Sequence, residues 1–414
     1  ALKKYAELIV NVGLNLQPGQ RLLIKGDALV TNGVSIHVAP LVRLIALSAY
    51  QRGARLVDVI WGDDQLQLAR FQHAPRDSFE EYPSWQTDGA LECARRGDAR
   101  LVILADDPGL FDGQDPDLVA AYQKVALKHA RPAADYAARN AMNWTVVAAP
   151  VPGWAVKVFP DLPPQAAEAR LWDTIFEICR LKKADPISAW QEHVQQLSAR
   201  CSYLNHKQYT ALKLIGPGTD LSVGLPRGHI WEGIRATSQA GISFIGNLPT
   251  EEIFTLPHKD KTEGIVTASM PLSRGGTLLK NFSLSFAQGR VVNVSADKGE
   301  SALRKLIETD EGASRLGEVA LVPHSSPISQ SGILFHNDLI DENAASHIAL
   351  GAAYRFNLEG GTGMSDAEFA AAGGNDSLVH ADFMIGSAQM DVDGLKKDGS
   401  AEPVMRAGEW AFEV

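Results

Sequence analysis

Cysteine is scarce in this chain: three in 414 residues, at Cys93, Cys179 and Cys201. Their spacing makes neither a paired disulfide framework nor a CxxC zinc knuckle. No histidine motif accompanies them as a nucleophile would require, and they read as reduced thiols. Positive charge is also in deficit. Lys and Arg number 39 against 49 Asp and Glu, for a formal charge of −10 and a pI near 5.6. No nucleic-acid partner is expected, because phosphate recognition needs a basic face. No apolar run reaches the ~20 residues of a membrane span before Arg, Lys, Asp or Gly interrupts it, so no membrane partner is expected. Several signatures are missing too. Neither GxGxxG nor GxxxxGK(S/T) follows the first strand, there is no HExxH, and there is no GxSxG elbow. Nucleotide binding, mononuclear zinc proteolysis and serine hydrolysis lose their usual local support.

What is present is ordinary globular material: 45% hydrophobic and 21% charged residues, enough for a normal core. The length suggests two or three domains. The opening LKKYAELIVNVGLNL lacks a cleavage site and reads as an amphipathic helix, with Leu2, Tyr5, Leu8, Ile9 and Val12 on one face. A cytoplasmic protein is expected. Up to about residue 195, β-rich runs at 21–26, 54–62, 99–106 and 143–150 alternate with helical stretches, notably 35–52 and 117–140. Such alternation predicts an α/β N-terminal domain with a mainly parallel sheet. Several strands end in Gly or Asp, as in Gly26-Asp27, Gly62-Asp63-Asp64 and Asp106-Asp107. Ligands often bind at such carboxyl ends, but polar strand-to-helix loops are the simpler reading.

Residues 164–206 read as helical, and the domain boundary falls near 195–208. Strands with turns follow, at 210–215, 220–223, 242–245, 264–270 and 277–295. The last contains a hairpin around Gln288-Gly289. The expectation is therefore an α/β N-terminal domain over 1–200 and an α+β C-terminal catalytic domain over 201–414 with mixed or antiparallel sheet.

Acidic residues and histidines concentrate in four segments of the second half. In NLPTEEIFTLP, Glu251 and Glu252 are neighbours, so in extended chain only one faces a common site. In LGEVALV, Glu318 opens an apolar run and needs a partner if buried, either a cation or a basic side chain. In DLIDENAASHIALGAAY, Asp341 suits the N-cap of a short helical turn and His347 enters an apolar stretch. Taken singly, that histidine is more often a hydrogen-bonded core residue than a ligand. In NDSLVHADFMIG, His380 and Asp382 stand two apart on what reads as a strand, so both face the same way. Imidazole beside carboxylate suits a borderline cation, or simply a His–Asp hydrogen bond. The glycine-rich EGGTGMS at 359–365 has no basic residue and reads as a mobile loop. The inventory is sufficient for two divalent ions sharing a carboxylate and an activated water.

These segments, together with the opening YAELIVNVGLNLQPGQRLLI, resemble the bacterial metalloaminopeptidase family typified by aminopeptidases T and S. The likeness spans nearly the whole chain. It implies a two-metal site in the C-terminal domain, with Glu252 (Glu251 as runner-up), Glu318, His347, His380 and Asp382 as ligands. Glu318 is then implied as the bridge and as a catalytic residue, with Glu342 a further ligand or an acid–base group. Tyr354 is implied as a catalytic residue that polarises the carbonyl or stabilises the oxyanion. The implied cofactors are two divalent ions per subunit (Zn²⁺, Co²⁺, or Mn²⁺/Mg²⁺). The implied substrates are peptides with a free N-terminus, and the implied assembly is a homodimer. Departures are small: Asn337-Asp338-Leu339-Ile340 stands where the family often has Asn-Thr-Leu-Phe, and His258 near the first glutamate reads as surface. Two rival expectations are a dinuclear hydrolase of another amide or ester, and a non-catalytic α/β binder of a small molecule.

Overall fold

The computed structural model describes residues 1–274 and 277–414. The chain forms two compact units: Ala1–Glu192 with Arg235–Pro249, and His193–Ile234 with Thr250–Val414.

The first unit is built on a parallel sheet of Arg21–Lys25 (β1), Leu56–Val59 (β2), Ala99–Leu104 (β3), Trp144–Ala148 (β4) and Asn247–Leu248 (β5), in the order β5-β4-β3-β1-β2. The interior strand β1 is buried from Leu22 to Lys25, while the edge strand β2 alternates exposed and half-buried residues. Helices Ala39–Gln51 and Pro116–Ala138 lie where the apolar periodicity puts them. Two further helices, Asp64–His73 and Ser84–Arg95, are weakly patterned and were not legible beforehand. The aspartates that end the strands turn the chain. Asp27, Asp63 and Asp107 each accept the backbone N–H two residues on, at 2.8–3.0 Å. The stretch 164–206 is two helices, Pro164–Ile178 and Pro186–Lys207. They are separated where Arg180 takes φ +61° and Asp185 receives the N–H groups of Ile187 and Ser188.

The second unit holds two antiparallel sheets. The larger has nine strands among the described residues. It includes the long hairpin Thr277–Ala287 and Arg290–Lys298, which turns on Gln288 (φ +50°) and Gly289 (φ +76°), the two left-handed residues a tight hairpin turn demands. The smaller sheet has four strands in the order Ile253–Thr255 (β6), Leu316–Leu321 (β7), His347–Gly351 (β8) and His380–Met384 (β9).

One face of the smaller sheet is apolar and fully buried: Ile253, Val319, Leu321, Ile348, Leu350, Ala381 and Phe383 are each at most 2% exposed. Burying each large side chain here is worth about 1.5–3 kcal/mol, and this anchors the strands. The register then fixes what the other face carries. A bulge in β7 between Leu316 and Glu318 is essential to it. With strict alternation Leu316 and Glu318 would share a face. The extra residue, Gly317, lets Leu316 enter the core while Glu318 points the other way. Only glycine fits, since a Cβ there would lie 2.3 Å from the Ala352 carbonyl oxygen and 2.4 Å from that of Gly351. Gly317→Ala is therefore expected to lower stability by about 1–3 kcal/mol, read as a lower thermal midpoint. An unchanged midpoint would show that the bulge yields without cost.

Candidate metal centre

Cross-strand partners project side chains to the same side of a sheet, and residues two apart along a strand do the same. Phe254 lies opposite Ala320, Ala320 opposite His347, and His347 opposite Met384. One row along, Glu318 lies opposite Ala349, and Ala349 opposite Asp382. The last pair is Gly351 and His380. Glu318, His347, His380 and Asp382 therefore share the non-core face, and Glu252, two residues before Phe254, joins them. The middle of that face is nearly empty of side chain, because Ala320, Ala349 and Gly351 occupy it.

The side chains converge. His347 Nε2 is 3.0 Å from Glu252 Oε2 and 3.5 Å from Glu318 Oε1. His380 Nε2 is 3.6 Å from Glu318 Oε2 and 3.5 Å from Asp382 Oδ1. Glu318 thus offers one oxygen to each imidazole. Two groups with metal-binding spacing result, Glu252–Glu318–His347 and Glu318–His380–Asp382, and Glu318 belongs to both. Glu252, Glu318 and His347 are buried, whereas His380 and Asp382 are half-buried.

The donor set fits a borderline divalent cation. Each imidazole has its Nδ1 on a backbone carbonyl, that of Ala345 at 3.1 Å for His347 and that of Ala352 at 2.8 Å for His380. Each Nδ1–H is then used, which leaves each Nε2 lone pair facing carboxylates. Glu252 Oε2 is buried and accepts no hydrogen bond despite its 3.0 Å approach to His347. Donors about 2.1 Å from one ion and spread tetrahedrally stand about 3.4 Å apart, which matches the 3.0–3.6 Å spacings seen.

Without a cation the positive charge must come from protons, and the ionisation of the cluster reflects that. Burial alone would lower His347, but its contacts with Glu252 and Glu318 hold it well above the ordinary histidine value. His380 is likewise lowered by burial yet raised overall to about 9 by Asp382 and Glu318. Burial raises Glu318, partly offset by His347. Burial, with the charges of Glu252 and Asp382, raises Glu342 well above the carboxylate range.

Other sequence-derived candidates take different places. The two glutamates of the PTEE run diverge and neither is on the surface: Glu251 is 3% exposed and Glu252 7%. Glu251 Oε2 stands 3.5 Å from His193 Nε2, and its backbone N–H donates to Asn343 Oδ1 at 2.7 Å. Glu342 feels the cluster electrostatically but lies outside both groups of candidate ligands. Tyr354 remains 39% exposed, with its ring 5.1 Å from that of His380. Desolvation of its hydroxyl end and the charges of Glu318 and Asp382 keep the phenol protonated. Asp341 stands at the N-cap of the short turn Glu342–Ala344, as expected, but its side chain makes no capping bond there. Its carboxylate instead accepts the upstream N–H groups of Phe335 and Asn337. His258 is half-buried rather than on the surface, packed where a Cβ on Gly373 would touch its ring. The glycine-rich 359–365 contains a short turn at Gly361–Gly363.

Beside the cluster opens a cleft of about 60 Å³. Glu342, His380 and Asp382 line it, together with Leu272, Met384, His336 and Asp338. His336 and Asp338 were not singled out from the sequence. Their only signal is their place just upstream of the Asp341–Tyr354 run.

Comparison with known proteins decides the family. The model of the M29 thermophilic metalloprotease family matches residues 1–410. The chain belongs to the M29 family of metalloproteases. It is accordingly a peptide hydrolase, and the family implies a divalent metal. Similar proteins include aminopeptidase AmpS of Bacillus subtilis, 45% identical over 99% of this chain and 98% of the relative. Aminopeptidase T of Thermus thermophilus is 46% identical over the same shares. The solved structure of wild-type AmpT from Thermus thermophilus superposes with a TM-score of 0.93 at 45% identity, covering 99% of each chain. The M29 fold is thus the parallel-sheet unit and antiparallel unit described above.

The raised groups give a signed expectation for pH. His347 and His380 bind protons more tightly folded than unfolded. Their stabilising contribution is complete below the unfolded value of roughly 6.5 and is lost as pH rises through about 9. Raised Glu318 and Glu342 act in the same direction, from the unfolded value upward. The metal-free protein is expected to lose thermal stability between pH 6.5 and 9, and added Zn²⁺ to restore more of it at the upper end. A metal-free melting temperature that rises over this range would contradict the assignment.

Proposed function

We propose that this M29 protein is a dinuclear aminopeptidase whose second unit carries the catalytic site. The observation that supports this most directly is Glu318, which stands between two imidazoles with one carboxylate oxygen toward each. Glu252 and His347 would hold one ion, His380 and Asp382 the other, and Glu318 would bridge them. The mixed nitrogen and oxygen donors suit Zn²⁺, Co²⁺ or Mn²⁺, with Mg²⁺ the weaker match. Two such ions, when bound, would supply Lewis acidity to the peptide carbonyl and lower the pKa of water.

The chain's own groups would do the rest. The carbonyls of Ala345 and Ala352 orient His347 and His380. Glu342, outside the ligand groups, would accept a proton from water and pass it to the leaving amine. Tyr354, protonated and with its ring 5.1 Å from that of His380, would donate a hydrogen bond to the oxygen that gains charge. The surplus of carboxylates favours a substrate with a free ammonium group, which supports cleavage at the N-terminal residue. The relatives named as aminopeptidases support the same reading. A cytoplasmic homodimer is part of this proposal and rests on the family resemblance.

Peptides with a free N-terminus and their N-acetylated counterparts test it. The metal-loaded protein should cleave only the former, one residue at a time, and equal turnover of the blocked peptides would sink the reading. Ala349→Leu tests the geometry separately. Ala349 lies between Glu318 and Asp382 on adjoining strands. A larger side chain there would fill the space where the donors meet without replacing a ligand. Activity should fall by roughly 100-fold or more, together with metal content. Retention of both would mean that the donors do not meet over Ala349.

A further inference from the structure

His336 combines two features found together in no other described residue: it adopts left-handed backbone, and it lines the cleft beside the candidate ligands. Its φ is +55°, a region that costs any residue with a Cβ, although histidine visits it more readily than most. The conformation is held from below by Asp341. That carboxylate is 6% exposed and uses both oxygens, Oδ1 on the N–H of Phe335 at 2.8 Å and Oδ2 on the N–H of Asn337 at 3.0 Å. The two amides flank His336, so the buried carboxylate clamps the turn at the residue that faces the cleft. Glu342, His380 and Asp382 line the same cleft. Leu272 and Met384 add apolar lining, and Asp338 adds a further polar group.

A residue whose only task is to turn the chain would be served by glycine or asparagine at this φ. An imidazole both donates and accepts, which is what a peptide group requires of a neighbour. Strained backbone held by surrounding structure is also characteristic of ligand-contacting positions.

We propose that His336 is a substrate-contacting residue, hydrogen-bonding the peptide group of a substrate seated in the cleft against Glu342, His380 and Asp382, with Asp341 as its positioning residue. The inference rests on the aminopeptidase reading and adds a contact outside the ligand set.

Two variants separate the imidazole from the turn. His336→Gly and His336→Asn both accept φ +55° and both remove the imidazole. Each is compared with the parent, all loaded with Zn²⁺, for KM and kcat on an unblocked dipeptide, for bound metal and for thermal midpoint. KM is expected to rise about tenfold or more in both variants, the scale of one lost hydrogen bond, with metal content and midpoint unchanged. KM within about twofold of the parent in both would overturn the proposal and leave His336 a turn residue. Loss of metal along with activity would also overturn it, placing His336 with the ligands. A parent that cleaves no unblocked peptide removes the aminopeptidase reading and this inference with it, whereas an active parent with unaffected variants removes the inference alone.

Discussion

The crowding of negative charge around Glu318 governs this protein. Buried carboxylates are costly unless compensated, and here Glu252, Glu318 and Asp382 meet two imidazoles within 3.0–3.6 Å, with Glu342 close behind. The histidines cannot supply enough charge by themselves. Their raised affinity for protons shows how strongly the cluster demands positive charge. A divalent cation, which the M29 family implies, would meet that demand with the donors already in place. Proton binding and the metal-binding spacing of the donors are thus two expressions of one electrostatic field.

The sheet around the cluster is arranged to tolerate that field. Its core face is apolar and closed, which holds four short strands in one register. Its other face has small residues at the centre, so long polar side chains from the flanks can lean inward. The bulge at Gly317 reconciles the two faces by giving Leu316 to the core and Glu318 to the site. Supporting contacts continue outward. Asn343 receives the N–H of Glu251, next to Glu252, and Asp341 ties the Phe335–Asn337 turn to the segment that carries Glu342. Each secures the backbone beside a functional side chain and leaves that side chain available.

Charge is handled differently in the first unit. Lys25, at the carboxyl end of the interior strand β1, is 9% exposed, and burial brings its pKa down to about 8. Burial raises Asp64 to about 6, reinforced by Asp107 and Asp63. These groups lie at strand ends, where the aspartates also build turns. The polar residues that end strands in the sequence are in part structural, which explains why strand-end aspartates taken alone are ambiguous indicators of a ligand site.

The sequence by itself determined the periodicities and the chemical inventory. Alternation of apolar runs with helical stretches marks the parallel sheet, and Gln288-Gly289 marks the hairpin, because both depend on local backbone preferences. His380 and Asp382 were legible as a pair, since residues two apart on a strand must face the same way. Helices 64–73 and 84–95 were not legible, for their apolar faces are weak and tertiary packing decides them. Nor was the direction of Glu251, Glu252 or Asp341, because a carboxylate's role depends on which amides and imidazoles surround it. The shared position of Glu318 was decided by tertiary structure alone. It follows from the register of four strands spread over more than 130 residues and from one inserted glycine, and no local pattern encodes which residues stand opposite each other across a sheet.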